Sequence, residues 1–148
     1  MIPTVHVQLL RNGAALPSYG SAFSAGADLT ACTDTPTVEI RSGETKLIPT
    51  GLAMEIPAGY VGLIYARSGI AAKRGLAPAN KVGVIDSDYR GEILVALHNH
   101  SAETQTVECG ERIAQLVITP YLTVQFAEAD TLEETARGAG GFGSTGNR

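Results

Sequence analysis

Short β-forming runs, each stopped by a turn signal at close and regular intervals, limit what this chain can fold into. The runs are Val5–Leu10, Thr45–Ile56 with a break at Pro49, Tyr60–Tyr65, Glu92–Asn99, Gln105–Glu108, Arg112–Thr119 and Tyr121–Phe126. Arg41-Ser42-Gly43, Pro57-Ala58-Gly59, Tyr89-Arg90-Gly91 and Cys109-Gly110 punctuate them. Many short strands at such spacing predict an all-β sandwich, barrel or jelly roll. The one helical candidate, Ile70–Arg74, spans one or two turns and is closed by Gly75. Gly62–Tyr65 and Ile93–Leu97 are apolar at nearly every position, the pattern of strands buried on both faces. A single small sheet domain cannot cover both faces of such strands itself, so the pattern predicts a homo-oligomer. The 148 residues, 44% of them hydrophobic, suit one domain with a real core. There is no internal repeat and no interdomain linker, and residues 127–136 form a polar bridge to a glycine-rich end.

A net charge of −4 excludes a nucleic-acid scaffold, which would need a basic face. Cys32 and Cys109 match no metal-ligand spacing and form no disulfide framework, as expected in a reducing compartment. The N-terminus lacks the basic start and apolar run of a signal peptide, and no apolar run reaches membrane-spanning length. The expectation is a soluble cytoplasmic protein. His98 and His100 share a strand face, but no third ligand lies at a suitable spacing. Neither a Walker A loop nor a Rossmann fingerprint is present.

Five stretches carry potential chemistry. Ser24–Leu29 sets one carboxylate, Asp28, among small and apolar residues; in isolation it reads as a turn carboxylate. Arg67-Ser68-Gly69 lies between an apolar strand and the short helix, where free backbone N–H groups and a guanidinium suit an anion; Ser68 is equally suited to cap the helix. Asn80–Glu92 places Asp86, Asp88, Tyr89 and Arg90 in a turn-rich loop between strands, where backbone groups can read a base edge and an Asp can take a proton from water. Gly110–Leu116 opens a strand with Arg112, Ala114 and Leu116 on one face and Ile113 and Gln115 on the other; Gln115 is expected to point inward and be hydrogen-bonded. The stretch from Arg137 to Gly146 packs one cation, five glycines, Phe142, Ser144 and Thr145 into the chain end. Such an end cannot hold a shape alone; its side chains suit a lid that orders over a nucleotide, and on composition alone it reads equally as a flexible, inert end.

Taken together, in this order and at these spacings, the five stretches resemble the motifs of the trimeric dUTPases, and the match runs from Ser24 to Gly146. The resemblance implies a β-clip-like jelly-roll subunit with at most one short helix, a homotrimer with active sites shared among chains, and a domain over 1–136 followed by a lid over 137–148. It implies hydrolysis of dUTP to dUMP and pyrophosphate with Mg²⁺, without a nucleic-acid or membrane partner. Asp86 would be the general base for a water attacking the α-phosphorus in line with the leaving pyrophosphate; carboxylates are ionised at neutral pH. Ser68, Gly69 and Gln115 would hold phosphate oxygens and Arg67 would add charge nearby, while Mg²⁺ would be carried mainly by the substrate phosphates, with Asp28 acting through the water shell or through structure. Asn80 and the backbone of Val84, Ile85 and Asp86 would read uracil, and Tyr89 would exclude a 2′-hydroxyl. Phe142 would stack on the base, and Arg137, Gly143, Ser144 and Thr145 would close on the γ-phosphate.

This sequence departs from the family pattern at Ala66, where Pro is common, and at Lys81-Val82, which replaces a frequent Ser-Pro. Two rivals remain at this level: a deaminase relative of the same fold acting on dCTP, and a non-catalytic binder that senses dUTP. Asp86 and the Phe142 tail favour the hydrolase.

Overall fold

The computed structural model describes residues 2–142. In chain order the strands are β1 (His6–Leu9), β2 (Ser18–Tyr19), β3 (Ala27–Thr30), β4 (Thr37–Ile40), β5 (Thr45–Glu55), β6 (Tyr60–Tyr65), β7 (Leu76–Pro78), β8 (Gly83–Ile85), β9 (Glu92–Asn99), β10 (Gln105–Glu108) and β11 (Arg112–Pro120). One helix, α1 (Ser68–Arg74), lies between β6 and β7. A four-stranded sheet ordered β1-β5-β9-β7 and a five-stranded sheet ordered β2-β3-β11-β6-β8 share a single core, with a β10-β4 ribbon beside them. All pairings are antiparallel, and the architecture is the expected jelly roll. No helix among the described residues is long and apolar enough to cross a membrane.

The core follows from side-chain alternation. Leu52, Ile93, Val95 and Leu97 from the first sheet join Leu29, Ile64, Ile113 and Leu116 from the second. Each such aliphatic side chain contributes about 1.5–3 kcal/mol through burial. The apolar run of β9 is buried on one face only within this chain. Leu94 is 40% exposed, and Leu47 on the neighbouring strand is 63% exposed. The expectation of burial on both faces therefore fails for the isolated subunit.

Four further local expectations are corrected. Pro49 does not break β5. The strand continues through it, and the register shift falls between Pro49 and Ala53, where Gly51 adopts φ +71°. Tyr121–Phe126 alternates like a strand but belongs to none. Apart from Tyr121, whose N–H donates to Gly59 O at 3.1 Å, it has no backbone pairing within the described residues, and Leu122 and Phe126 are about nine-tenths exposed. Ser68 does not cap α1: the N-cap is Arg67, in extended geometry and without a side-chain capping bond. A bulge between Arg112 and Ala114 breaks the alternation of β11, so Ile113 and Ala114 are both buried. Helix α1 ends as expected at Gly75, whose φ of +65° closes the last turn.

β6 positions the polar residues singled out by the sequence. It lies between β11 and β8. Its C-terminal end runs into Ala66–Gly69, whereas the antiparallel partner β8 runs the other way, toward Asp86.

Candidate active site

A polar cleft of about 560 Å³ opens at the C-terminal end of β6, lined by Gly20, Ser24, Ala25, Gly26, Asp28, Arg67, Ser68, Gly69, Arg112 and Gln115. Pairing of β3 with β11 and of β11 with β6 brings three of the sequence stretches to this place, because Gln115 faces both Asp28 and Tyr65 across the sheet. Arg67 Nε donates to Asp28 Oδ1 at 2.7 Å, and Arg112 Nη1 donates to Asp28 Oδ2 at 3.2 Å. Arg67 Nη1 also donates to the Arg112 carbonyl at 3.4 Å. Asp28 is largely buried, with 14% of its side chain exposed, while Arg112 is 57% exposed. Two guanidiniums against one carboxylate leave a surplus positive charge, so the cleft attracts an anion.

Gln115 is half-buried and donates from Nε2 to the Ala66 carbonyl at 2.8 Å, the inward, bonded arrangement expected of it. That bond turns its Oε1 toward Gly26, where a Cβ would overlap the carboxamide oxygen. At Gly69 a Cβ would meet open space. The N–H groups of Ser68 and Gly69, in the first turn of α1, have no intrahelical acceptor. A larger cleft of about 650 Å³ lies between β1, β2 and β11; apart from His6 and Tyr19 its walls are apolar, and it contains no guanidinium or ammonium.

Asp86 is elsewhere. The β6–β8 register pairs Gly62 with Ile85 and Ile64 with Gly83, which sets Asp86 opposite Val61 at the N-terminal end of β6. Five residue steps separate Val61 from Ala66, about 17 Å of strand. Asp86 is exposed, and Tyr89 N–H closes a turn on its carbonyl at 3.2 Å. β8 is an edge strand, so half of its backbone N–H and C=O groups have no ladder partner. Val84 is 60% exposed and Tyr89 43%. Asn80 occupies the turn before β8, its Nδ2 close to Gly83. In the chain end, Arg137 Nε donates to the Gly140 carbonyl at 2.9 Å, and the Phe142 ring is fully exposed. Gly143, Ser144 and Thr145 lie outside the described residues.

The dUTPase family model matches residues 12–146. The chain belongs to the dUTPase family. A Rickettsia bellii protein named deoxyuridine 5'-triphosphate nucleotidohydrolase is 52% identical over 131 residues, covering 88% of this chain and 87% of the relative. A mutant of the Staphylococcus bacteriophage 80alpha dUTPase, solved with dUpNHpp, superposes with a TM-score of 0.87 at 30% identity, covering 97% of this chain and 98% of that one. A mutant dUTPase of phage phi11 of S. aureus, whose structure reveals the coordination of a structural Mg(II) ion, gives a TM-score of 0.79 at 27% identity, with 88% and 99% covered.

Arg112 and Gly26 line this cleft, although the sequence places them inside motifs without a role of their own. The signal for Arg112 is a second guanidinium with only one nearby carboxylate to share. The signal for Gly26 is a glycine two residues before that carboxylate. The departures from the family pattern have local accounts. Val82 N–H donates to Asn80 O at 2.7 Å, a bond that Pro at this position could not make. Lys81 adopts φ +66°, strain of about 1–2 kcal/mol absorbed by that turn. At Ala66 only the carbonyl is used, by Gln115.

Proposed function

We propose that this protein hydrolyses dUTP to dUMP and pyrophosphate in a homotrimer whose active sites draw on more than one chain. The observation that carries this reading is the cationic cleft built on Asp28, Arg67, Arg112 and Gln115, in a dUTPase whose Asp86 lies at the far end of the same strand. The cleft receives the phosphates. Asp86 of another copy completes it and takes the proton from a water that attacks the α-phosphorus, in line with the departing pyrophosphate. The solvent-facing Leu47 and Leu94 support assembly, since apolar sheet surface of this kind is normally covered.

Arg67, Ser68, Gly69 and Gln115 hold phosphate oxygens. Asp28 acts chiefly by fixing both guanidiniums. Asn80 and the free edge of β8 at Val84, Ile85 and Asp86 read uracil. Thymine is rejected because a C5 methyl has no room in a tight hairpin. Cytosine is rejected because its donor and acceptor pattern is reversed, and each unmatched buried polar group costs about 1–3 kcal/mol. Tyr89 lies against the deoxyribose. Phe142 stacks on the base when the chain end closes, and Arg137, Gly143, Ser144 and Thr145 grip the γ-phosphate.

Among the described residues no group of three or more His, Cys, Asp or Glu gathers as a metal cage. Both Asp28 oxygens accept from guanidiniums, so an ion carried in by the phosphates fits this donor set better than one held by protein ligands. Bound in that way, Mg²⁺ neutralises phosphate charge. Free Cys32 and Cys109 fit a cytoplasmic setting.

The test is pyrophosphate release from dUTP, dCTP and dTTP with Mg²⁺. Turnover on dUTP alone is expected, and Asp86→Asn is expected to lower kcat by about a thousandfold with the fold unchanged by circular dichroism. Undiminished turnover in that variant would reject Asp86 as the base.

A further inference from the structure

The loop from Asp86 to Gly91 contains no regular structure, yet Tyr89 within it is fixed from two sides. Its Oη donates to the Glu92 carbonyl at 3.0 Å. Its ring rests on the backbone of Gly91, where an added Cβ would overlap the phenol. The residue that receives the hydroxyl is itself pinned through its side chain. Glu92 Oε1 accepts from Arg11 Nε and from the Gly51 N–H, both at 3.0 Å, and Oε2 accepts from Arg11 Nη2 at 3.2 Å. The remaining Arg11 nitrogen, Nη1, donates to Asp34 at 2.7 Å. Glu92 is 20% exposed and Arg11 33%, so this two-pronged pair is partly shielded from water. The pairing raises the Arg11 pKa above its usual value, chiefly through the hydrogen bonds to Glu92. Gly51 offers its N–H from a left-handed turn, where a Cβ would crowd Ala14.

We propose that Arg11 and Glu92 are positioning residues for sugar discrimination, holding the Tyr89 phenol where a 2′-hydroxyl would have to sit. The inference rests on the proposal that Tyr89 lies against the deoxyribose. Neither Arg11 nor Glu92 needs to touch the nucleotide. The chain of contact runs from the N-terminal loop through the Glu92 side chain to the Glu92 carbonyl and on to Tyr89 Oη. A ring on an exposed loop without this chain would sample positions that admit a ribonucleotide, and sub-ångström placement is what separates dUTP from UTP.

The test measures kcat and KM for dUTP and UTP on the full-length protein and on Glu92→Gln, Tyr89→Phe and Tyr89→Ala, with thermal melting and oligomeric state recorded for each. Glu92→Gln keeps the shape but turns an amide donor against the guanidinium. Tyr89→Phe keeps the ring but removes its anchor. Both are expected to lower the dUTP-to-UTP ratio of kcat/KM by about tenfold, mainly through a lower KM for UTP. A purely structural clamp would lower melting temperature or active fraction and leave the ratio alone, since loss of active protein cancels in it. If Tyr89→Ala lowers the ratio while Glu92→Gln and Tyr89→Phe keep it at the wild-type value, the positioning proposal is overturned and the reading of Tyr89 stands. If Tyr89→Ala also keeps the wild-type ratio, the reading of Tyr89 falls and takes the proposal with it. Should Glu92→Gln fail to fold, Arg11→Lys, which keeps the charge but loses the two-pronged geometry, takes its place and is read against the same outcomes.

Discussion

The two ends of β6 are built on different terms. At the C-terminal end, Asp28, Arg112 and Gln115 sit on the central strands β3 and β11 and Arg67 at the N-cap of α1 just past β6, and their polar side chains bond one another or the backbone. At the N-terminal end, Val84, Asp86 and Tyr89 sit on an edge strand and an exposed loop. Binding a polyphosphate needs fixed charge, and fixed charge needs a scaffold that holds like-charged guanidiniums side by side. Reading a base needs free backbone groups, and an edge strand supplies these. On the proposed reading, the difference explains why one chain carries an anion cleft but depends on another copy for its base. It also locates where catalysis can be abolished without harming the fold.

The sharpest way to break this comparison is at the exposed extreme. The described part of the chain beyond Pro120 contains no strand or helix, and Phe142 packs on nothing. Deleting residues 137–148 is therefore expected to leave melting temperature and assembly unchanged while lowering kcat/KM for dUTP by about a hundredfold, the order of effect lost when a closing segment no longer positions its substrate. Steady-state kinetics beside thermal melting checks it. Full activity in the truncated protein would place the whole site within the folded body.

The same contrast decides what the sequence could disclose. Tyr60–Tyr65 and Glu92–Asn99 were legible to the residue because each is an apolar run between Gly or Pro turns. β7 and β8, at three residues each, are too short to show periodicity and form only against β9 and β6. Tyr121–Phe126 has the alternation of a strand, but alternation specifies a face and not a partner, and this chain offers none among the described residues. The motif residues were legible as a set, through their order and their likeness to a family. The Asp28–Arg112 pair was not, because 84 residues separate its members and only the β3–β11 register joins them. Nor could the sequence reveal that Asp86 and Arg67 lie at opposite ends of one strand, since that arises from the antiparallel pairing of β8.

At the rigid end the comparison can be sharpened with a single methyl group. Gly26→Ala puts a Cβ onto Gln115 Oε1, and Gln115 cannot yield without releasing the Ala66 carbonyl. The substitution is expected to raise KM for dUTP by about tenfold, equivalent to about 1.4 kcal/mol of lost hydrogen bonding to phosphate. It should leave the dUTP-to-dCTP preference intact, because base reading resides at the other end of β6. A shift in base preference would show that the two ends are not separable.

The smallest expected effect lies at the seam between them. His100 N–H donates to the Gly75 carbonyl at 2.8 Å, just past α1, and its ring meets His98 edge to face with centroids 4.4 Å apart. His100 is exposed, and slight desolvation of its ring, then His98, then Lys81 hold its pKa below the usual 6.5. Charged and titratable neighbours therefore come from both regions: Lys81 from the turn before β8, and His98 from β9, where Thr45 Oγ1 shares a hydrogen bond with its Nδ1. A histidine whose folded pKa is depressed binds fewer protons folded than unfolded. Stability is therefore fully present above about pH 6.5 and falls as the pH drops from there to the folded value, below which the slope flattens. Melting temperature measured from about pH 7.5 to about pH 5.5 is expected to decline, and His100→Gln is expected to flatten that decline. Lys81→Met should also reduce it, more weakly, since Lys81 is the last of the three causes. An unchanged slope in His100→Gln would assign the acid sensitivity to carboxylates such as Glu44, whose pKa is lowered chiefly by the Arg41 N–H and whose contribution is lost only at lower pH.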